Sequence, residues 1–430
     1  MADTRYYIPA QETLDRADLE RLQRTRLAAM LSKVLAGNAF YGRKLRRLHF
    51  DPLQDPLSVL PFTTRSELEE DQIEHPPYGS NLTDAPERYH RMHQTSGSAG
   101  RPLRWLDTVE NWAWWKECWG TIFTAAGINA SDRLVFPFSF GPFVGFWGAF
   151  EAAVELGYFV LAAGGMSTIA RLHYILENSA TVVCCTPTYA LRMAEVAGAE
   201  QLDIAASPVR ALIVAGEPGG SIPATRRAIE RAWGARVFDH TGMTEIGPLG
   251  FECLENPLGV HLMENQCIAE IIDPATGQAA ADGAGELVIT NLGRVASPVI
   301  RYRTGDQVAA RWQRCPCGRS FARLEGGILG RVDDMLVVRG NNVFPSAIEN
   351  LLREFPEIAE YSVEWTGQST TTGIRIKIEP ARAGGVALAQ RVRTRLRDAL
   401  NFRPDIEIVP PESLPRFEMK ARRFVKKFWR

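Results

Sequence analysis

At 430 residues the chain exceeds an ordinary single domain of roughly 100–200 residues, so two or more folding units are expected. Hydrophobic residues at 45% and charged residues at 23% exclude a mainly disordered, collagenous or repetitive chain. Forty-nine Lys plus Arg against fifty Asp plus Glu leave a net charge of -1, which provides no global field for nucleic acid or an anionic membrane, so neither is expected as a partner.

The first five residues include charged and polar Asp3, Thr4 and Arg5, with no apolar stretch behind them, so no secretory signal is expected and the cytoplasm is the expected compartment. Residues 134–150 carry no charge, but Pro137, Gly141, Pro142, Gly145 and Gly148 interrupt them. The run is also shorter than the roughly 20 residues of a membrane span, and it reads as strand, turn and helix. Seven cysteines, an odd number, argue for thiols or a metal over disulfides; Cys118, Cys184, Cys185 and Cys267 read as core residues.

From about 132 to 239 short β-rich runs alternate with helical ones. Strands are expected at 134–136, 158–161, 181–185, 211–214 and 236–238, with helices at 169–178, 189–197 and 224–233. This α/β alternation builds a parallel sheet covered by helices on both faces, with ligands at the carboxyl ends of its strands. After Gly250 the chain turns strand-rich, at 268–272 and 286–290, and predicts a smaller β subdomain packed on the first. From about Val332 an α+β pattern begins, with strands at 335–338, 359–365 and 373–378 and helices at 346–353 and 388–400. The expected division is a large domain over 1–331 and a small mobile one over 332–430.

Between Thr95 and Pro102 lie three hydroxyls, two glycines and Arg101. Such a loop suits an anion, because glycine admits close backbone approach while amides, hydroxyls and a cation supply the contacts. It also fits an ordinary flexible loop, and it lacks the Gly-Lys-Ser/Thr ending of a Walker A sequence. Thr244 and Glu245 read by themselves as a helix cap with an acidic first turn. Asp306 in Thr-Gly-Asp reads by itself as an Asx turn after a strand end, and Arg331 with Asp333 as a surface pair. The tail 416–430 holds seven Lys or Arg and one acidic residue, which suggests a solvated helix face, a polyanion contact or a single functional lysine. Cys253, His261, Cys315 and Cys317 form a candidate Cys₃His zinc set, against four unrelated residues. Phe138 and Phe140, at a strand end, fit either core or an apolar acyl pocket.

Seven segments follow in order: the 95–102 loop, Ala215-Gly216-Glu217-Pro218, residues 239–245, Tyr302-Arg303-Thr304-Gly305-Asp306, Gly330-Arg331-Val332-Asp333-Asp334, residues 339–345, and Arg416-Phe417-Glu418-Met419-Lys420. Together they resemble the adenylate-forming acyl-CoA synthetase superfamily, most closely its phenylacetate-CoA ligase branch, over about 91–427. The resemblance implies that Thr95, Ser96, Gly97, Ser98, Gly100 and Arg101 wrap the ATP phosphates, with Arg101 where relatives usually have Lys and Ala99 where many have Thr. It implies phosphate and Mg²⁺ contacts for Thr244 and Glu245, and ribose contacts for Asp306. Arg331 falls on the ribose or α-phosphate side, and Asp333 at the hinge. Glu217 and Asp239 fall where relatives contact adenine, with Thr241 in place of a common aromatic residue. Lys420 matches the catalytic lysine that bridges carboxylate and α-phosphate oxygens. Gly340 lies on the loop that serves coenzyme A, and some relatives carry a Cys/His set like the one here.

The expected activity is therefore activation of a carboxylic acid, aromatic in preference, by MgATP through acyl-AMP to an acyl-CoA thioester. Transfer to an amine or a carrier protein is the alternative within enzymes. A nucleotide-binding protein without turnover is the alternative outside them. The number of subunits stays open, a homodimer included.

Overall fold

Uncharged runs such as Val182–Cys185 and Ala211–Ala215 are buried on both faces, the pattern of central parallel strands. In the computed structural model, which describes residues 5–95, 101–334, 336–338, 341–365, 374–381, 385–400, 402–418 and 420–427, they lie within a twelve-stranded sheet. Its parallel part runs Phe159–Ala162, Arg133–Phe136, Val182–Cys185, Ala211–Ala215, Arg236–Met243. Alternate residues feed two cores: Val182, Cys184 and Ile213 enter one, and Val183, Cys185 and Leu212 the other. Helices Thr168–Glu177, Pro187–Ala199 and Pro223–Trp233 pack over the second core, while Val109–Ala125 and Trp147–Glu155 pack over the first.

The strand-rich stretch after Gly250 does not build a sheet of its own. Gly247–Phe251, Gly259–Leu262, Arg323–Glu325, Tyr302–Arg311, Ala284–Asn291 and Cys267–Ile272 extend the parallel sheet in antiparallel order, and Gly330–Arg331 pairs beside Tyr302–Arg311. Edge-to-edge pairing satisfies ladder groups that a separate small sheet would leave bare.

The N-terminal segment is bound to distant chain. Arg319 and Glu12 form a fully buried ion pair, and Tyr6 donates its hydroxyl proton to the Cys317 carbonyl at 2.7 Å. Helix Arg16–Gly37, capped by Asp15, buries Leu19, Leu27, Met30, Leu31 and Val34, and its Gln23 amide donates to the Glu264 and Cys267 carbonyls. Among the described residues, no helix is long and apolar enough to cross a membrane.

A third core, from Leu336 to Ile406, belongs to a four-stranded sheet ordered Asp405–Ile408, Ile374–Pro380, Ile358–Trp365, Phe424–Lys426. The basic tail is therefore not a solvated helix face. Its strand pairs parallel with Ile358–Trp365, and its cations find carboxylates: Arg416 on Glu379 and Glu195, Arg423 on Glu360, Lys427 on Glu364.

Candidate active site

The parallel strands deliver their side chains where the sheet ends. Ala211–Ala215 runs out into Gly216, whose φ of +97° needs glycine and whose neighbour is Lys420: a β-carbon placed there would lie 3.3 Å from Lys420 Cε. Lys420 thus sits over the mouth of the large sheet. Glu217 accepts from the amide of Thr188 at 2.9 Å and from that of Ala421 at 2.7 Å, so its carboxylate joins the large body to the C-terminal one. Burial raises its pKa, and these amides partly offset the rise. Glu418 accepts from Thr168 Oγ1 at 2.9 Å, and Arg423 donates to Thr188 Oγ1 at 3.0 Å, in the same seam.

Asp306 and Arg331 are direct partners across their strands, with Arg331 Nη1 3.3 Å from Asp306 Oδ1 and 2.8 Å from the Thr304 carbonyl. Gly305, at φ +72°, permits this: a β-carbon would meet the Arg331 guanidinium at 2.6 Å. Burial pushes the Asp306 carboxyl up to about 6, Arg331 and Lys420 pull it down, and Glu245 opposes them. These four groups therefore share one electrostatic neighbourhood. Asp333 lies 4.0 Å from Arg331 on an exposed turn.

Asp239 is buried on strand Arg236–Met243 and accepts the Ser221 hydroxyl proton at 2.5 Å. Burial pushes its carboxyl up to about 7. The next residue, His240, points to the opposite face, where its ring lies 4.6 Å from Trp119; its Nδ1 meets the Gly250 carbonyl at 2.6 Å, and burial lowers its pKa to about 4. Phe138 and Phe140 are half-buried at the end of strand Arg133–Phe136, 5.2 Å apart, with Phe146 and Trp147 against them. Rings of Trp119 and Phe146 are 6.0 Å apart, so an aromatic wall runs from His240 to Phe140.

On the phosphate side, Ser96, Gly97, Ser98 and Gly100 lie outside the described residues, as does Gly340. The loop's flanks are clear. Thr95 exchanges hydrogen bonds with Leu103 at 2.9 Å, and Arg65, at the start of helix Arg65–Glu74, donates to Thr95 Oγ1 at 3.3 Å and to the Arg101 carbonyl at 2.9 Å. The same guanidinium donates to the Glu245 carboxylate at 3.1 Å. Sequence reasoning passed over Arg65: Thr64 and Glu67 spell a capping box, which places Arg65 on a helix but not beside Glu245.

Cys253, His261, Cys315 and Cys317 converge, with ligand atoms within 4.8 Å of one another. Zinc–sulfur bonds of about 2.3 Å and zinc–nitrogen bonds of about 2.0 Å at tetrahedral angles put S···S edges at about 3.8 Å and S···N edges at about 3.5 Å. Cys253 and Cys315 sulfurs are 3.8 Å apart, and Cys317 Sγ is 3.6 Å from His261 Nε2, so the residues fit that ion. His261 Nδ1 faces the Phe321 carbonyl at 3.4 Å, an outer partner that orients the ring.

Comparison with known proteins converges on one family. The AMP-binding enzyme model matches residues 52–295, and the AMP-binding enzyme C-terminal domain model matches 340–427. Phenylacetate-coenzyme A ligase of Thermus thermophilus is 30% identical over 96% of this chain and 97% of its own. The crystal structure of 2-hydroxyisobutyryl-CoA ligase in the postadenylation state with its acyl-AMP superposes with a TM-score of 0.93 at 28% identity, covering 99% of this chain and 93% of that one. The same ligase in its thioesterification state gives a TM-score of 0.75 at 29% identity over the same shares. The C-terminal body here is thus placed as in the postadenylation form.

Proposed function

The chain belongs to the AMP-binding enzyme family as an AMP-forming acid–coenzyme A ligase, and from that premise we propose how its residues divide the reaction. The carboxylate of the acid attacks the ATP α-phosphorus, pyrophosphate leaves, and the coenzyme A thiol then displaces AMP from the acyl carbon. Positioning and charge stabilisation are what a protein contributes to such steps.

Lys420 bridges acid and α-phosphate oxygens, Arg331 adds charge on the ribose side, and Asp306 accepts from the ribose hydroxyls. Thr95, Arg101 and the glycine loop between them take the β- and γ-phosphates, and Thr244 and Glu245 the phosphate and Mg²⁺. Asp239 and the Gly216–Glu217 backbone lie on the adenine side. What carries this reading is the approach of Lys420 to Gly216 together with its pull on the Asp306 carboxyl. The large domain ends at residue 331, Asp333 is the hinge, and rotation of the small domain replaces Lys420 with the Gly340 loop for thioester formation. The Cys₃His set holds a structural zinc, and the enzyme works in the cytoplasm without a membrane or nucleic-acid partner.

The acid is aromatic or arylacetic. Phe138 and Phe140, half-buried at the strand end and backed by the buried rings of Phe146 and Trp119, offer flat apolar surface, worth about 25 cal/mol per Å² buried. An acid-dependent ATP–pyrophosphate exchange screen over phenylacetate, benzoate, 2-hydroxyisobutyrate, acetate and palmitate, with mass detection of the CoA thioester, tests both levels. Faster exchange with the small or long-chain acids overturns the aromatic assignment. Exchange followed by no thioester overturns coenzyme A as acceptor.

A further inference from the structure

Strand Arg104–Thr108 returns from the phosphate loop as the second arm of a hairpin with Tyr89–Gln94. Its Asp107 is fully buried and accepts two hydrogen bonds from Arg294, Nε to Oδ1 at 2.7 Å and Nη2 to Oδ2 at 2.6 Å. Arg294 is equally buried, and its guanidinium lies over the rings of Trp105 at 5.4 Å and Trp115 at 5.2 Å. The remaining nitrogen, Nη1, donates to the carbonyl of Thr244 and reaches that of Glu245 at 3.4 Å.

Removing both charges from water costs several kcal/mol per ion, and an apolar pair of equal volume is commonly as stable or more so. Stability alone is therefore a poor account of this pair. Its geometry is specific: one planar fork grips the hairpin through a side chain and the Thr244–Glu245 turn through its backbone. Arg65 ties the same two elements from the other side, from Glu245 to Thr95 and Arg101.

We propose that Arg294, braced by Asp107, is a positioning residue that fixes the Thr244–Glu245 turn relative to the phosphate-loop hairpin and so sets the grip on magnesium-bound phosphates. The proposal rests on the reading of Thr244 and Glu245 as the phosphate and Mg²⁺ pair. Arg294 touches no substrate; it decides the distance between the two halves of the phosphate site and leaves the adenine and ribose contacts alone.

The test compares binding of AMP without metal with the KM for MgATP and the Mg²⁺ half-saturation of pyrophosphate exchange, in Arg294→Lys, Asp107→Asn and Trp115→Phe, each checked for folding by thermal melting. Lysine keeps the charge and loses the fork. The first two variants should raise the KM for MgATP and the Mg²⁺ requirement by about tenfold, the scale of one charged hydrogen bond, while AMP affinity stays within about twofold. Trp115→Phe keeps the ion pair and loosens one face of its clamp. It covers the case in which the first two fail to fold, and should move the MgATP-to-AMP ratio the same way by about two- to threefold. Equal weakening of AMP and MgATP in folded variants, or an unchanged ratio in folded Trp115→Phe, overturns the proposal. Glu245→Gln separates it from its premise: an unaltered Mg²⁺ requirement there sinks the reading of Thr244 and Glu245 and the proposal with it. A shift in Glu245→Gln without one in the Arg294 series sinks the positioning role alone.

Discussion

The Asp306 carboxylate and the Arg331 guanidinium meet at 3.3 Å because their α-carbons are direct partners on antiparallel strands, with Gly305 leaving room between them. Asp306→Ala removes the proposed ribose acceptor and releases Arg331. Loss of two charged hydrogen bonds, each about 1.5–3 kcal/mol, should weaken ATP and AMP binding by at least about 100-fold while the KM for the acid holds. Calorimetry with AMP measures this, and an unchanged affinity would leave Asp306 as a structural partner of Arg331 alone.

Lys420→Ala should depress ATP–pyrophosphate exchange by about 100-fold or more, the usual scale for removing a group that stabilises developing charge. Thioester formation from supplied acyl-AMP should stay within about threefold of the parent, since the lysine acts where charge develops on the α-phosphate. Equal losses in both half-reactions would remove Lys420 from that role.

Purified protein should contain about one zinc per chain by elemental analysis. Four protein ligands would leave no position for water or substrate, so a zinc held there would be structural. Cys315→Ser or chelation should lower the melting temperature more than it lowers turnover of the surviving folded enzyme. A metal-free chain of full stability would falsify this.

Stability should also fall with rising pH through Asp239. Burial holds its carboxyl at about 7, above its ordinary 3.8, so between those values the folded chain keeps a proton that the unfolded chain has lost. The stabilising contribution is complete below about pH 4 and disappears as pH rises through 7, at about 1.4 kcal/mol per unit of pKa separation. Asp239→Asn, unable to ionise, should therefore gain on the parent between pH 5 and pH 8 in paired melting curves. An identical offset at both pH values counts against it.

The candidate-site segments were legible in the sequence because each is a short contiguous string: Thr304-Gly305-Asp306 sets a glycine beside a carboxylate without reference to the rest of the chain, although the turn expected there proves to lie inside strand Tyr302–Arg311. So was the cysteine knuckle, although the convergence of Cys253 with Cys315, sixty-two positions away, is a property of the sheet. Arg65 and Arg294 were not legible. Their partners Glu245 and Asp107 stand 180 and 187 residues away, and an isolated arginine looks alike on a surface and in a core. The tail's charge density left a solvated helix face open as one reading, because an expected strand at 359–365 or 373–378 does not say that Glu360, Glu364 and the nearby Glu379 meet Arg423, Lys427 and Arg416.

The attachment of the N-terminus sets a timetable for synthesis. Tyr6 waits for Cys317, Glu12 for Arg319, and Gln23 for the carbonyls of Glu264 and Cys267, separations of 311, 307, 241 and 244 residues. At about 5–20 residues per second a ribosome needs tens of seconds to cover such a gap. Throughout that interval the apolar stripe of Leu19, Leu27, Met30, Leu31 and Val34 has emerged without its distant partners, so it stays open to wrong contacts far longer than helices whose partners lie nearby in the chain.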